Sequence, residues 1–150
     1  MLYLILKWLH VLLAIVAIGA NVTYAVWLNR AAGRPDVLPF VLRGVKILDD
    51  RIANPAYGLL LVTGLAMVFV GGLSLLTPWI LGSLVLYVIA VLLGLFGYTP
   101  TLRRQIQLVE GGQGESDEYR SLALRGQVLG IALAVIVVVI VFLMVVKPGS

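Results

Sequence analysis

Four stretches of apolar residues are separated along this chain by two charged stretches and one short uncharged link. The apolar stretches cover approximately residues 2–28, 55–72, 78–97 and 126–146. Each is close to the ~20 residues with which an α-helix crosses the hydrocarbon core of a bilayer. The pattern predicts an all-α protein, an integral membrane four-helix bundle that forms a single transmembrane domain over residues 1–150.

The first span carries a continuous stripe of polar and small side chains on an otherwise apolar helix. The stripe advances by alternating steps of four and three residues: Tyr3, Lys7, His10, Ala14, Ala17, Asn21 and Tyr24. Side chains at this spacing share one face of a helix. Polar groups inside a membrane are costly unless protein covers them. We therefore expect this face, with Lys7, His10 and Asn21, to point inward against other spans.

A short interfacial amphipathic helix is predicted between spans one and two. Within residues 37–51, Arg43, Lys46 and Asp50 lie on one helical face, and leucine and valine side chains lie on the other. Asp36 is the expected N-cap of this helix. Such a helix lies flat at the membrane surface. The alternative is that this segment binds a lipid headgroup or a partner.

Local signals indicate where the other helices begin and end. Asn54 is the expected N-cap of span two, and Gly71 and Gly72 should end that span. The short link that follows predicts a tight antiparallel hairpin of spans two and three. Pro100 should break or kink the chain after span three. Ser116 or Asp117 should start the last helix.

Small residues recur every four positions in the fourth span, at Gly126, Gly130 and Ala134. Such a ladder lets helix backbones approach closely. The expected contact is with another helix of the same bundle, and a homodimer face is the alternative. If the contact lies within the bundle, Gly130→Leu should overpack it and lower the stability by about 1–3 kcal/mol.

The composition is that of a membrane protein. Hydrophobic residues make up 61% of the chain and charged residues 12%, with a mean hydropathy of +1.08. A soluble domain is about one-quarter charged. We therefore expect a multi-pass protein of the cell membrane with the lipid bilayer as its surroundings. The chain contains no cysteine, which excludes disulfides and thiolate chemistry.

The distribution of positive charge predicts the orientation. Nine of the eleven Lys and Arg residues fall within residues 29–54 and 98–125. The positive-inside rule then makes loops 29–54 and 98–125 cytoplasmic and places both termini outside. All seven acidic residues lie in the same two loops, so the basic excess is small. This is not the charge pattern of a nucleic-acid-binding protein.

His10 is the only histidine and the first candidate for chemistry. It should lie about 7 Å outward of the centre of span one, and Met67 about 5 Å outward of the centre of span two. A His/Met pair between helices can hold haem. Haem b is therefore a candidate cofactor, with Tyr3 and Lys7 placed to meet its propionates. The alternatives are a neutral histidine hydrogen-bonded to a neighbouring helix and a lysine that reaches the headgroups.

Other chemistry has little support in the sequence. The spans contain no second histidine and no carboxylate, so neither a metal site nor a set of catalytic residues is predicted. At the cytoplasmic level of the spans, Asn21 and Tyr24 should meet Asn54 and Tyr57 in a polar helix–helix contact. The residues predicted to serve helix packing are Asn21, Tyr24, Asn54, Gly126, Gly130 and Ala134.

The motif Leu6-Lys7-Trp8-Leu9-His10, with Asn54-Pro55 and Thr63-Gly64 in span two, resembles a family of small predicted integral membrane proteins of unknown function. The same opening is similar to that of the copper-resistance D proteins and the HemJ-type protoporphyrinogen oxidases. Resemblance to the HemJ type implies haem binding by the first-span histidine, which is His10 here. Resemblance to the copper-resistance proteins implies metal transport.

These observations give three functional hypotheses. The first is a non-enzymatic membrane subunit or accessory protein that acts through helix packing, as a homo-oligomer or within a larger membrane complex. The second is a haem-binding redox protein with His10 as axial ligand. The third, a small-solute or metal transporter, predicts a water-filled cavity that reaches Lys7 and His10.

Overall fold

The computed structural model describes residues 1–149, which form four long helices. They are α1 (Leu2–Ala31), α2 (Leu38–Val70), α3 (Pro78–Glu110) and α4 (Asp117–Val146). All four are long and apolar enough to cross a membrane, and no strand occurs among the described residues. The all-α, four-helix prediction is confirmed. We call the end with both termini the terminal end, and the end with residues 32–53 and 99–125 the charged end.

Helices α2 and α3 each contain one wider π-helical turn, at Asp49–Ala53 and Gly94–Tyr98. A proline follows each turn closely, at Pro55 and Pro100. A proline ring clashes with the carbonyl four residues earlier and cannot donate to it. In both helices that carbonyl lies within the π-helical turn. A π-helical turn is one of the usual ways in which a helix accommodates a missing hydrogen bond.

This continuity corrects two predictions. The amphipathic segment Leu38–Leu48 is not a separate interfacial helix, because it runs through the π-helical turn into the second span. Of the two effects predicted for Pro100, a break is excluded, because the third helix continues to Glu110. Short-range helix-breaking signals predicted ends at both places, whereas the π-helical turns allow the backbone to stay helical.

The capping predictions had mixed outcomes. Asp36 does not cap α2, and its carboxylate lies 4.0 Å from the Arg34 guanidinium instead. Asn54 lies inside a continuous helix, so it is not an N-cap either. The glycine stop is confirmed, since α2 ends at Val70 and Gly72 has a φ of +63°. Ser116 is confirmed as the cap of α4, and its hydroxyl accepts from the Tyr119 N–H at 3.1 Å.

The helices pack as two pairs that join at the charged end. Helix α1 packs along residues 54–70 of α2, and residues 78–93 of α3 pack along α4. The segment 38–48 of α2 also packs on residues 99–110 of α3. Among the described residues, residues 54–70 of α2 and residues 78–93 of α3 are not a closely packed pair. The predicted tight hairpin of these two spans is therefore wrong, although their link is short.

The buried core lies towards the charged end. It consists of side chains from the first three helices: Tyr24, Ala31, Leu38, Leu42, Val45, Ala53 and Leu102. Two exposed ion pairs link neighbouring helices at this end. Arg43 on α2 lies 2.9 Å from Glu110 on α3, and Arg104 on α3 lies 2.8 Å from Glu118 on α4. Exposed pairs of this kind contribute little stability each, about 0–1 kcal/mol.

Candidate functional site

His10 faces α2 and is held by a hydroxyl group. Its Nδ1 atom lies 2.8 Å from Oγ1 of Thr63, and the Thr63 hydroxyl also lies 2.8 Å from the carbonyl oxygen of Leu59. A hydroxyl has one hydrogen to donate. When that hydrogen goes to Leu59, the threonine oxygen accepts from Nδ1–H, and Nε2 carries the free lone pair of the neutral imidazole.

The imidazole packs directly on a glycine. A Cβ atom placed on Gly64 would lie 3.2 Å from Cε1 of His10. Two helical turns closer to the terminal end, a Cβ on Gly71 would lie 3.1 Å from Cε2 of Tyr3. The two contacts follow one antiparallel register, in which a step of seven residues on α1 matches a step of seven on α2. The absence of side chains at both glycines allows the helices to approach there.

The four residues predicted to surround a haem lie at different levels along α1 and α2. Met67 lies one turn beyond Thr63 on α2, which is about 6 Å along the helix axis. His10 therefore lies level with Thr63, and the predicted shared level with Met67 is off by about one turn. Lys7 is exposed, so the expectation that it points inward is wrong. Tyr3 is half-buried against the end of α2.

Further towards the charged end, a chain of polar contacts links the first three helices. The Asn21 amide donates to the hydroxyl of Tyr57 and to the carbonyl oxygen of Ala17. The Tyr87 hydroxyl on α3 donates to the carbonyl oxygen of Tyr57 at 2.7 Å. Asn21 and Tyr57 thus meet at the level that the sequence predicts. Tyr87 makes the only hydrogen bond that the structure describes between residues 54–70 of α2 and residues 78–93 of α3.

A buried carboxylate lies next to these contacts, in the π-helical turn of α2. Asp49 is only 7% exposed, and the Asn54 amide donates to it at 3.4 Å. It precedes the predicted span 55–72. Burial raises the pKa of the Asp49 carboxyl above its ordinary value, and the negative charge of Asp50 adds to the shift.

Within residues 1–149, the Tyr24 hydroxyl is buried without a hydrogen-bond partner. Asn54 therefore contacts Asp49 rather than Tyr24.

The small-residue ladder of α4 borders an open groove. The groove has a volume of about 1280 Å³, lies between α1 and α4, and is lined in part by Gly126, Gly130 and Ala134. A Cβ on Gly126 would lie 3.7 Å from Gln105, but one on Gly130 would meet nothing within 4 Å. The expected packing of the ladder inside the bundle is therefore wrong for Gly130, and Ala134 is exposed.

A second, smaller cavity of about 410 Å³ lies at the charged end, between the last turns of α1 and the first turns of α2. Neither this cavity nor the groove is lined by Lys7 or His10. The cavity that the transport hypothesis predicts is thus not one of these two. Among the described residues, no group of three or more His, Cys, Asp and Glu side chains is arranged to hold a metal ion.

A family model described as "Predicted integral membrane protein (DUF2269)" matches residues 4–148. The chain belongs to this family. The match includes α2, α3, α4 and all but the first two residues of α1, and it confirms the resemblance to a family of small predicted integral membrane proteins. No curated protein and no solved structure matches the chain. The family description is consistent with contact between this protein and a lipid bilayer.

Three residues at these contacts were not singled out from the sequence as site residues: Thr63, Tyr87 and Asp49. Thr63 was detectable, because an apolar helix that carries one histidine needs a hydrogen-bonding partner on its neighbour. Tyr87 was detectable only through the relative position of α2 and α3. Asp49 was not placed on either face of the amphipathic segment, and it is buried within the π-helical turn, which no sequence signal placed there.

Proposed function

We propose that this protein is a small non-enzymatic membrane subunit that acts by packing α4 against another transmembrane helix. The observation that supports this proposal is the ladder of Gly126, Gly130 and Ala134 beside an unfilled groove. Gly130 meets nothing within 4 Å and Ala134 is exposed, and small residues of this kind are suited to the close approach of a helix from outside the chain. The partner is a second copy or a component of a larger membrane complex.

The same proposal includes an orientation, in which loops 29–54 and 98–125 are cytoplasmic and both termini lie outside. The support is the concentration of nine of the eleven basic residues at the charged end. A cysteine placed in loop 111–116 should then be protected from a membrane-impermeant maleimide in intact cells. Labelling of that cysteine without permeabilisation would contradict the orientation.

Cysteine cross-linking tests the assembly directly, because the chain has no cysteine of its own. Ala134→Cys places a thiol on the ladder, and Val135→Cys places one at the same depth on a neighbouring exposed face that does not line the groove. We expect disulfide or short-linker products for Ala134→Cys in native membranes and few for Val135→Cys. Their mass distinguishes a second copy from another protein. Equal yields for the two variants, or no product from either, would overturn the proposal.

A second candidate function is haem binding through His10. The observation that favours it is the hydrogen bond between Nδ1 and Thr63, because a histidine that ligates a metal is usually oriented through its other ring nitrogen. His10 would supply the axial ligand through Nε2. Met67, Lys7 and Tyr3 lie along the same pair of helices, but the packing of the imidazole on Gly64 leaves little room on that side.

An absorption spectrum distinguishes the two functions. If haem b binds, protein purified in detergent after expression with added haem should show a Soret band that His10→Ala abolishes. Thr63→Val should shift or weaken the band, because it removes the group that orients the ring. A colourless preparation, or a band that persists in His10→Ala, would exclude His10 as the ligand. We do not propose transport, since neither cavity described above is lined by His10.

A further inference from the structure

We propose that the cavity between the end of α1 and the start of α2 binds an anionic phospholipid from the leaflet at the charged end. In this site Arg30 and Arg34 hold the phosphate, and an acyl chain fills the cavity. This proposal is independent of the assembly through α4.

The shape and lining of the cavity suit an apolar chain. Its volume of about 410 Å³ lies within the ~300–1,000 Å³ typical of sites for small molecules. The helices contribute apolar side chains to it, among them Ala31, Val45 and Leu48. Gly44 also lines it, and a Cβ on Gly44 would meet nothing within 4 Å. The glycine therefore leaves open space beside the cavity wall.

The charges at the cavity suit an anion. Arg30 and Arg34 are the only charged residues that line it. Among residues 1–149, the Arg30 side chain has no ion pair or hydrogen bond. The Arg34 side chain has only the 4.0 Å contact with Asp36, and the side chains of Arg34 and Asp36 are both more than 60% exposed. An exposed pair at that distance is weak, so both guanidinium groups remain available to a phosphate, which arginine binds well.

Two aromatic side chains indicate that the cavity lies at the membrane surface. Trp27 and Phe40 line it and are 53% and 81% exposed, respectively. Tryptophan is enriched where hydrocarbon meets headgroups. An apolar cavity at that level with two cations resembles the basic pockets between transmembrane helices that hold acidic lipid headgroups. Charge complementarity thus favours an anionic lipid over a neutral one and over an apolar peptide.

Quenching of Trp27 fluorescence by brominated lipids tests the proposal in nanodiscs. Trp8→Phe and Trp79→Phe leave Trp27 as the only tryptophan and form the background for every variant. The nanodiscs contain phosphatidylcholine with a minor fraction of either brominated phosphatidylglycerol or brominated phosphatidylcholine. We expect stronger quenching by the brominated phosphatidylglycerol. Arg30→Gln and Arg34→Gln should each lower this preference by about fivefold. Each basic residue near an anionic membrane surface contributes about 1 kcal/mol of binding free energy, which corresponds to that factor.

Gly44→Leu adds a side chain to the cavity wall at a position where a Cβ meets nothing within 4 Å, and it should reduce quenching by phosphatidylglycerol. Gly58→Leu is the matched control, because it lies on the same helix, has open space around its Cβ and lines neither cavity. Circular dichroism and gel filtration establish that each variant is folded. Equal quenching by the two brominated lipids, or no effect of the arginine variants, would overturn the proposal. Quenching that falls as the protein-to-lipid ratio rises, whichever headgroup is brominated, would indicate a second copy in the cavity and would also overturn it.

Discussion

His10 on α1 and Thr63 on α2 share a hydrogen bond of 2.8 Å across the interface of the two helices. The bond lies inside the predicted spans, where neither group has an alternative partner in water. A buried polar group that loses its partner incurs the full cost of its desolvation. This bond therefore does more for the packing of α1 on α2 than a similar bond at the surface would do.

Thr63→Val tests that statement, because valine has the shape of threonine without the hydroxyl. The variant should lower the free energy of unfolding by about 0.6–2 kcal/mol. The measurement is unfolding by SDS in mixed micelles, followed by circular dichroism. Thr23→Val is the matched control, since the Thr23 hydroxyl donates only to the Gly19 carbonyl oxygen of its own helix. If both variants lose the same stability, the bond between the helices has no particular role.

Gly64 should tolerate a side chain less well than Gly58. A Cβ on Gly64 would lie 3.2 Å from the His10 ring, whereas one on Gly58 would meet nothing within 4 Å. Gly64→Val should therefore destabilise the protein by about 1–3 kcal/mol through overpacking, and Gly58→Val should have a much smaller effect. Thermal unfolding in detergent compares the two. A Tm for Gly64→Val that is no lower than that for Gly58→Val would mean that the histidine moves aside easily.

Hydropathy and local capping chemistry were sufficient for the number of helices and for some of their ends. The stop at Gly72 and the start at Ser116 depend on backbone conformation and on one side-chain hydrogen bond, both of which are local properties. The stripe on α1 likewise predicted that another helix covers the face that carries His10. These features follow from a few neighbouring residues and from the cost of polar groups in hydrocarbon.

The π-helical turns and the pairing of the helices could not be predicted in this way. Pro55 and Pro100 are equally compatible with a helix terminus and with a wider turn inside a helix. The structure has the wider turns, together with packing of residues 38–48 against residues 99–110. The one-turn error in the level of Met67 has a similar origin. It came from assigning each span its own centre, while the actual register is set by the close contacts of α1 with Gly64 and Gly71.

Gly130→Leu should weaken the assembly of the protein, whereas Gly97→Leu should destabilise the monomer. The expectation that Gly130→Leu disrupts the bundle is corrected by the open space around Gly130. We now expect an unchanged monomer Tm with a loss of any oligomer. A Cβ on Gly97 would lie 3.2 Å from Leu129 on α4, so Gly97→Leu should lower the Tm of the monomer itself. Light scattering and thermal unfolding measure both quantities. A lower monomer Tm for Gly130→Leu would mean that Gly130 packs against another helix of the same chain.

Asp49→Asn should make the protein more stable at neutral pH, and the gain should disappear in acid. The pKa of Asp49 is raised in the folded state by burial and by Asp50. The folded protein therefore holds this proton more tightly than the unfolded chain, and the associated stability is lost as the pH rises from about 4, the ordinary range of an aspartate, through the raised pKa. Asparagine has no charge to desolvate and can still accept the hydrogen bond from Asn54.

The Tm difference between Asp49→Asn and the unchanged protein should therefore be positive at about pH 7–8 and close to zero at about pH 4. Asp36→Asn provides the control, because the Asp36 side chain is 69% exposed and lies 4.0 Å from the Arg34 guanidinium. Its loss removes an exposed ion pair, so at neutral pH this variant should be slightly less stable or unchanged. A Tm gain for Asp49→Asn that does not depend on pH would mean that packing, rather than the buried charge, sets the cost of this residue.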